Sequence, residues 1–414
     1  MTRGFEESNL RAVLRTVKVY LYNKTLILQI DKGFKREFWR SGGRKPSAVA
    51  LIILQYNKKI KITYYMKNKS VLIYGEYSGY GKSLADGFKQ LGYKSEVFSF
   101  SGDGFKKINS GLTLSGETKL QKYLSIIKLI PTFLKFKNII IINPEFVSRK
   151  NLGLLMLLVF KLTRKRIILM ACGDDTPFIK YGLEGLIPNW PYSDIPLPQK
   201  DYFLKEKDIF TNNLVASFAF KIIPVMYDYR VSWEQTKFKY KLTETIPLAC
   251  DGQLKPIKPI NNKIVIMHGI NRIDFKGTNI IKSALNEIEK IYPNDVEIIY
   301  PEHLPLTEYL QIMSRVDIAI DQTKGNSYGM NAIYSMFSGH VVLAPANYLF
   351  LNDINLQSSP IIKINNTKES IIDSLTILIE NKEKIDDIKK ESQNYAKNIH
   401  SPMMIAKQIE KYLI

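Results

Sequence analysis

Two α/β halves, each a doubly wound parallel sheet, are what this 414-residue sequence predicts. Three observations carry the expectation. From Val71 onward, short β-branched runs alternate with longer amphipathic stretches. The alternation breaks at Lys255–Asn262, around Pro256 and Pro259, and then restarts. Several short runs are apolar from end to end, as a strand covered on both faces must be.

The first strand is Val71–Tyr74. Lys82–Leu91 reads as a helix because Leu84, Phe88 and Leu91 share one face, and Gly92 stops it. Ser95–Phe100 is the next strand, Leu120–Phe136 a helix, and Asn138–Ile142 an unbroken apolar strand. Leu152–Leu162 follows as a helix and Arg166–Met170 as a strand. Pro188, Pro191, Pro196 and Pro198 crowd one segment, which must be irregular because proline removes a donor and restricts its neighbour. Long loops in compact domains often serve function.

Beyond the break the strands are Ile264–Met267, Val296–Tyr300, Ile318–Asp321 and Val341–Ala344. The helices are Ile280–Ile291, Leu306–Ser314, Tyr328–Phe337, Lys368–Glu380, Ile385–Lys397 and Met403–Leu413. The expected division is an extension at 1–65, a first domain at 66–255, a second at 256–397 and a final helical segment at 398–414. Two such halves enclose a cleft, where ligands bind.

Hydrophobic residues make up 45% and charged residues 24%, which excludes a wholly disordered or collagen-like chain. Two distant cysteines, Cys172 and Cys250, give no disulfide framework and fit a reducing compartment. Leu152–Phe160, the longest strongly apolar run, is far short of the ~20 residues a bilayer needs. No apolar core with a cleavage site follows the basic N-terminus, so no signal peptide is expected.

The net charge of +20 points to an anionic partner. It sits in two blocks. Residues 1–65 carry 14 Lys and Arg against 4 Asp and Glu, and six of the twelve arginines. Met66, just before the first strand, therefore reads as the natural start, with 1–65 upstream sequence or a poorly ordered extension; the rival reading is a basic arm. Residues 119–166 carry 11 Lys and Arg and one acid, Glu145, interleaved with Leu, Ile, Phe and Met. That composition suits docking on anionic lipid or a solvated face. With no recognised binding module, nucleic acid is not the expected partner.

The chemistry-bearing motifs lie at strand ends. His268–Thr278 runs from a strand to a helix, where backbone amides favour an anion. Arg272 and Lys276 add two cations, the set that a diphosphate needs. Asp321–Gly339 again leads from a strand through a loop, around Gly325 and Gly329, into a helix. In the first half, Gly75–Ser83 imitates a P-loop, but Glu76 stands where the first glycine belongs and would face phosphate oxygens. Gly79 and Gly81 are the candidates there for close approach to a ligand. Asp174 and Asp175 follow a strand, where either can orient or deprotonate a hydroxyl, or cap the next segment. Glu145 is a further candidate by the same logic. His268 either faces the ligand or is satisfied within its loop. No Asp-x-Asp pair is present, and no metal or other cofactor is expected.

Taken together, the second half resembles the donor domain of group 1 glycosyltransferases of the GT-B fold. Gly269, Arg272, Lys276 and Gly277 occupy the family's diphosphate loop, with one extra residue and the arginine displaced. Tyr328-Gly329-Met330, Tyr334-Ser335-Met336 and Gly339 match its next motif without a gap. Ile246–Asp251 resembles the segment entering the linker, and the last helix resembles one that crosses back to the first domain. The resemblance covers about 240–414 and is architectural over 66–240. It implies a donor site of Gly269, Arg272, Lys276, Gly277, Asn326, Tyr328, Gly329, Met330, Asn331 and Tyr334, in which Asn326 and Tyr334 replace the family's two glutamates. It implies transfer, with retention, from a UDP- or GDP-sugar to a glycan or lipid-linked acceptor. Asp174 or Asp175 would meet the acceptor. The setting implied is bacterial-type surface polysaccharide synthesis, lipopolysaccharide or capsule, at the inner membrane face in the cytoplasm. The alternatives from other classes are a non-catalytic glycan- or nucleotide-binding relative and a P-loop ATPase.

Overall fold

A computed structural model describes residues 17–22, 25–30, 62–63, 69–99, 111–148, 152–260, 262–270, 272–302 and 306–413. Met66 and most of 1–65 lie outside that set. Within it, β1 (Val17–Tyr22), β2 (Thr25–Ile30) and β3 (Ile62–Thr63) form a small antiparallel sheet.

The first domain is built on β4 (Ser70–Tyr74), β5 (Lys94–Ser99), β6 (Leu112–Thr113), β7 (Asn138–Ile141), β8 (Arg166–Ala171) and β9 (Lys221–Pro224). All pair in parallel, in the order β6-β5-β4-β7-β8-β9. Every residue of β4 and β7 is buried, which explains their unbroken apolar character. Its helices are α1 (Tyr80–Gln90), α2 (Lys119–Phe133), α3 (Glu145–Ser148), α4 (Leu152–Leu162), α5 (Thr176–Leu183), α6 (Glu206–Phe218) and α7 (Tyr227–Glu234).

The second domain contains β10 (Ile264–His268), β11 (Val296–Ile299), β12 (Ile318–Ile320), β13 (Val341–Ala344) and β14 (Ile362–Lys363). They are parallel in the order β11-β10-β12-β13-β14. Its helices are α8 (Ile273–Lys276), α9 (Thr278–Ile291), α10 (Leu306–Met313), α11 (Met330–Phe337), α12 (Tyr348–Asp353), α13 (Lys368–Glu380) and α14 (Ile385–His400). Renumbered within each domain, the strand orders are 3-2-1-4-5-6 and 2-1-3-4-5, the two common doubly wound arrangements.

The chain then returns. α15 (Pro402–Glu410) packs on α1, so closely that a Cβ on Gly87 would lie 2.1 Å from the Pro402 carbonyl. Tyr93 donates to Glu410 at 2.9 Å, and the Cys250 amide donates to the His400 carbonyl at 2.9 Å. One apolar core runs from the first sheet through Ala249 and Cys250 to α11 and the near face of the second sheet. The far face of the second sheet has a separate core around Ile266, Leu285 and Ile371. Among the described residues, no helix is long and apolar enough to cross a membrane.

Two differences from the sequence reading have local causes. α5, α6, β9 and α7 were not foreseen, because 176–234 mixes polar and aromatic residues without a clear period. α11 begins at Met330 rather than Tyr328, since Gly329 is still extended (φ −97°, ψ −174°) and serves as its N-cap.

Candidate active site

In each sheet the strand order reverses beside one central strand, between β4 and β7 in the first and between β10 and β12 in the second. Loops leaving the strand C-termini diverge there and open a crevice. The two crevices face each other across one cavity of about 1250 Å³. Tyr77, Glu145 and Asp174 line it from the first domain, and Gly269, Arg272, Lys276, Asp321, Gly329, Met330 and Asn331 from the second.

Asp174 sits in the loop after β8. Asn143 fixes that loop by donating to the carbonyls of Cys172 (2.8 Å) and Asp174 (3.1 Å). Oδ2 of Asp174 accepts from Tyr192 (2.6 Å), Tyr202 (3.0 Å) and Arg272 Nη2 (2.9 Å). The same Nη2 donates to Tyr192 at 2.6 Å. Asp174 Oδ1 is buried without a hydrogen-bond partner. The Arg272 guanidinium lies 3.7 Å from the centroid of Phe275, a cation–π contact that orients its plane. Thus the first cation of the expected diphosphate loop is bound by a carboxylate of the opposite domain.

The second cation is bound within its own domain. Lys276 Nζ donates to Asp321 Oδ1 at 2.7 Å, and the Gly329 amide donates to Asp321 Oδ2 at 3.1 Å. Burial pushes the Asp321 carboxyl up, but Lys276 and the Gly329 amide outweigh it and hold the group below the usual carboxylate range. One aspartate therefore takes both the ammonium and the helix N-terminal amide that the sequence assigned to phosphate.

The proline-rich segment after α5 is a strap across the cleft. Its Asn189 carbonyl accepts from the Gly325 amide at 3.0 Å, and its Pro188 carbonyl accepts from Asn326 Nδ2 at 2.6 Å. Asp194 pairs with Lys324 at 2.5 Å. The strap carries Trp190 and Tyr192, which with Phe178, Tyr202 and Phe275 make an aromatic wall beside Asp174.

Several expected site residues are placed elsewhere. Asp175 caps α5, accepting from the Phe178 amide (2.9 Å) and Trp233 Nε1 (2.8 Å), and does not line the cavity. Burial lifts it to about 7, against the pull of those two donors. Asn326 is fully buried, and its amide is spent on Pro188, Asp228, Asn189 and Asn347. Tyr328 is a core residue whose hydroxyl meets Tyr395 and His400, both at 2.9 Å. Tyr334 points to the domain junction, with its hydroxyl 3.4 Å from the Ser78 carbonyl. Gly277 links α8 to α9 at φ 72°, where a Cβ would meet Thr323 at 2.1 Å, so the glycine serves a turn. His268 is buried between the Ile320 carbonyl and the Thr278 hydroxyl, each at 2.9 Å.

The P-loop look-alike is filled by its own side chain. Glu76 accepts from the amides of Gly79 (2.9 Å), Gly81 (3.3 Å) and Lys82 (2.8 Å). Lys82 pairs with Asp251, and Ser83 Oγ accepts from the Asp251 amide at 3.0 Å. The amides at Gly79 and Gly81 are thus committed to a carboxylate, and the lysine to the linker.

Sequence reasoning missed Tyr192, Tyr202, Asp321 and Asp228. Asp321 had the same signal as Asp174, a carboxylate at a strand's end. Asp228 lines the cavity, holds Asn326 at 2.5 Å and is lifted by burial to about 6. The tyrosines had only the proline density of their loop to mark them. In the basic block, Lys165 is turned inward to the Leu134 carbonyl at 2.6 Å and falls to about 8 through burial, while Arg166 stacks on Phe220. Among the described residues, no group of three or more His, Cys, Asp or Glu is placed to hold a metal ion.

No family model and no curated protein sequence matches the chain. Solved structures match it in shape. HepE of Anabaena in complex with UDP and glucose superposes with a TM-score of 0.56 at 14% identity, over 83% of this chain and 99% of that one. The same protein in complex with UDP-glucose gives 0.54 at 14% identity, over 83% and 98%. Sucrose-phosphate synthase of Thermosynechococcus elongatus gives 0.56 at 11% identity, over 83% and 98%. At such identity a match establishes architecture: this chain has the GT-B fold, two Rossmann-like domains facing a cleft, with a last helix that crosses back to the first.

Proposed function

We propose that the protein is a glycosyltransferase that moves a sugar from a UDP- or GDP-sugar to a glycan or lipid-linked acceptor. The observation that carries the reading is the shared cavity at both switch points, with Arg272, Gly269 and Asn331 on one wall and Asp174 and Glu145 on the other. HepE, of the same fold, is described in complex with UDP, glucose and UDP-glucose, which supports a nucleotide-sugar donor. Arg272, nearly half exposed to the cavity, stabilises the departing diphosphate as a preorganised cation. Lys276 acts from behind, as the partner that keeps Asp321 in place. Backbone at Gly269, Gly329 and Met330 and the side chain of Asn331 shape the donor pocket, and Asp174 meets the acceptor hydroxyl. Transfer runs without a metal or other cofactor and with retention at the anomeric carbon.

The setting is surface polysaccharide synthesis on the inner face of the cell membrane. α2 and the turn that follows it support membrane docking, since Leu120, Leu124, Lys128 and Lys135 are all exposed. A second reading, a non-catalytic binding relative, is favoured by one observation: Asn326 and Tyr334, which stand for two carboxylates of the resembled family, are not among the residues that line the cavity.

The test is release or transfer of sugar from UDP-glucose and GDP-mannose by wild type and Arg272→Ala, with EDTA present. Turnover in EDTA that Arg272→Ala abolishes supports the transferase. Binding of UDP or GDP with no turnover on any donor or acceptor supports the binding relative, and binding of neither rejects both.

A further inference from the structure

Arg272 and Asp174 belong to different domains, and the proposed transfer needs each of them free of the other. In the structure they are joined at 2.9 Å. We propose that Asp174 is an in-chain stand-in for the donor diphosphate at Arg272. Donor binding exchanges one anion for another and releases the Asp174 carboxylate to the acceptor. This inference rests on the transferase reading above.

Four features make the pair exchangeable. The Arg272 side chain is 47% exposed, so a diphosphate in the cavity reaches it without unfolding anything. Phe275 orients the guanidinium independently of its anionic partner. Asp174 keeps Tyr192 and Tyr202 on Oδ2 when Arg272 leaves, so it stays positioned. Its Oδ1 is buried and unpartnered, an acceptor position that nothing in the chain fills. The Lys276–Asp321 pair lacks the first feature, since both side chains are buried and both lie in the second domain.

The experiment is calorimetric titration of the full chain with UDP and with GDP, for wild type, Arg272→Ala, Asp174→Asn and Tyr192→Phe. Arg272→Ala should weaken binding about tenfold or more. Asp174→Asn removes the competing charge and should tighten binding about fivefold, the order of one partly exposed ion pair. Tyr192→Phe removes one of the two hydroxyls that hold Asp174 once Arg272 has left, so it should not tighten binding. A merely structural Asp174 would never raise affinity on removal. Unchanged or weaker nucleotide binding by Asp174→Asn overturns the exchange, while a weakened Arg272→Ala leaves the donor site standing. Should Asp174→Asn fail to fold, Asp174→Ser, which also removes the competing charge, decides by the same sign. If wild type binds neither nucleotide, or Arg272→Ala binds as well as wild type, the donor-site reading falls and the exchange with it.

Discussion

Lys276→Met separates two cations that look equivalent along the chain. The Lys276 side chain is 8% exposed and its partner Asp321 only 2%. Methionine keeps the packing of the stem and removes the charge. Asp321 is then left as a buried carboxylate held by the Gly329 amide. Breaking a buried pair from one side costs ~3–5 kcal/mol. For a domain of this size each kcal/mol moves the midpoint by roughly 2–4 °C, so the second domain should melt roughly 6–20 °C lower. The loss should depend on pH. In wild type Lys276 holds Asp321 below the usual carboxylate range; without it, burial raises the folded value above the unfolded one. The folded variant then binds a proton that the unfolded chain has released, so its deficit is greatest at high pH and shrinks as pH falls through the raised value. Scanning calorimetry at pH 8 and pH 5 reads both effects. A variant that melts within about 2 °C of wild type at pH 8, on a scale of 2–4 °C per kcal/mol, would refute the buried-pair argument. Arg272→Ala, by contrast, removes a half-exposed cation and leaves Asp174 to the hydroxyls of Tyr192 and Tyr202, so it should lower the midpoint less than Lys276→Met does. It is therefore the cleaner probe of the donor site, and a double variant would confuse lost binding with lost fold.

Three other outcomes are expected. Glu76→Gln replaces an acceptor of loop amides by a side chain with one oxygen, and should cost ~1–3 kcal/mol in urea unfolding; wild type should show no thermal shift with magnesium and ATP, because Glu76 already fills the loop. Asp175→Asn should lower the midpoint by a few degrees and leave transfer intact. Its disadvantage should shrink as pH rises from about 5 to 8, since wild type ionises a group that burial lifts to about 7 while the unfolded chain ionises near 3.8; a large loss of turnover at full folding would return Asp175 to the chemistry. Lys128→Glu with Lys135→Glu should reduce cosedimentation with phosphatidylserine vesicles by about 1 kcal/mol per base or more, and salt should mimic the effect; undiminished binding by this variant would reject α2 as the docking element.

The fold was legible because its signals are local. β7 reads as a strand from Asn138–Ile141 alone, and α1 from its apolar face and Gly92. α5 was not legible, because the aromatic residues that cover it, Trp190 and Tyr229, come from the strap and from α7 and not from one periodic face. The catalytic region was legible as a place: Asp174, Gly269, Arg272 and Gly329 all line one cavity. What each group faces was not, because partners distant in sequence decide it. Asp175 differs from Asp174 by one position, yet Trp233, far along the chain, makes it a cap.

Charge shows the same limit most clearly. Counted along the chain, Arg272 and Lys276 make a basic loop ready for phosphate. In space each cation meets an aspartate, and the two pairs differ in what an incoming anion can do. Displacing Asp321 from Lys276 would strand a buried carboxylate and also free the Gly329 amide, so that pair resists exchange. Displacing Asp174 from Arg272 leaves the carboxylate with two tyrosine donors, and the guanidinium is already half exposed to the cavity. The affinity of the cleft for a diphosphate is therefore set by one exchangeable pair rather than by two free cations. Its sensitivity to salt should accordingly be that of about one charge, which titration of UDP over a range of sodium chloride concentrations reads directly.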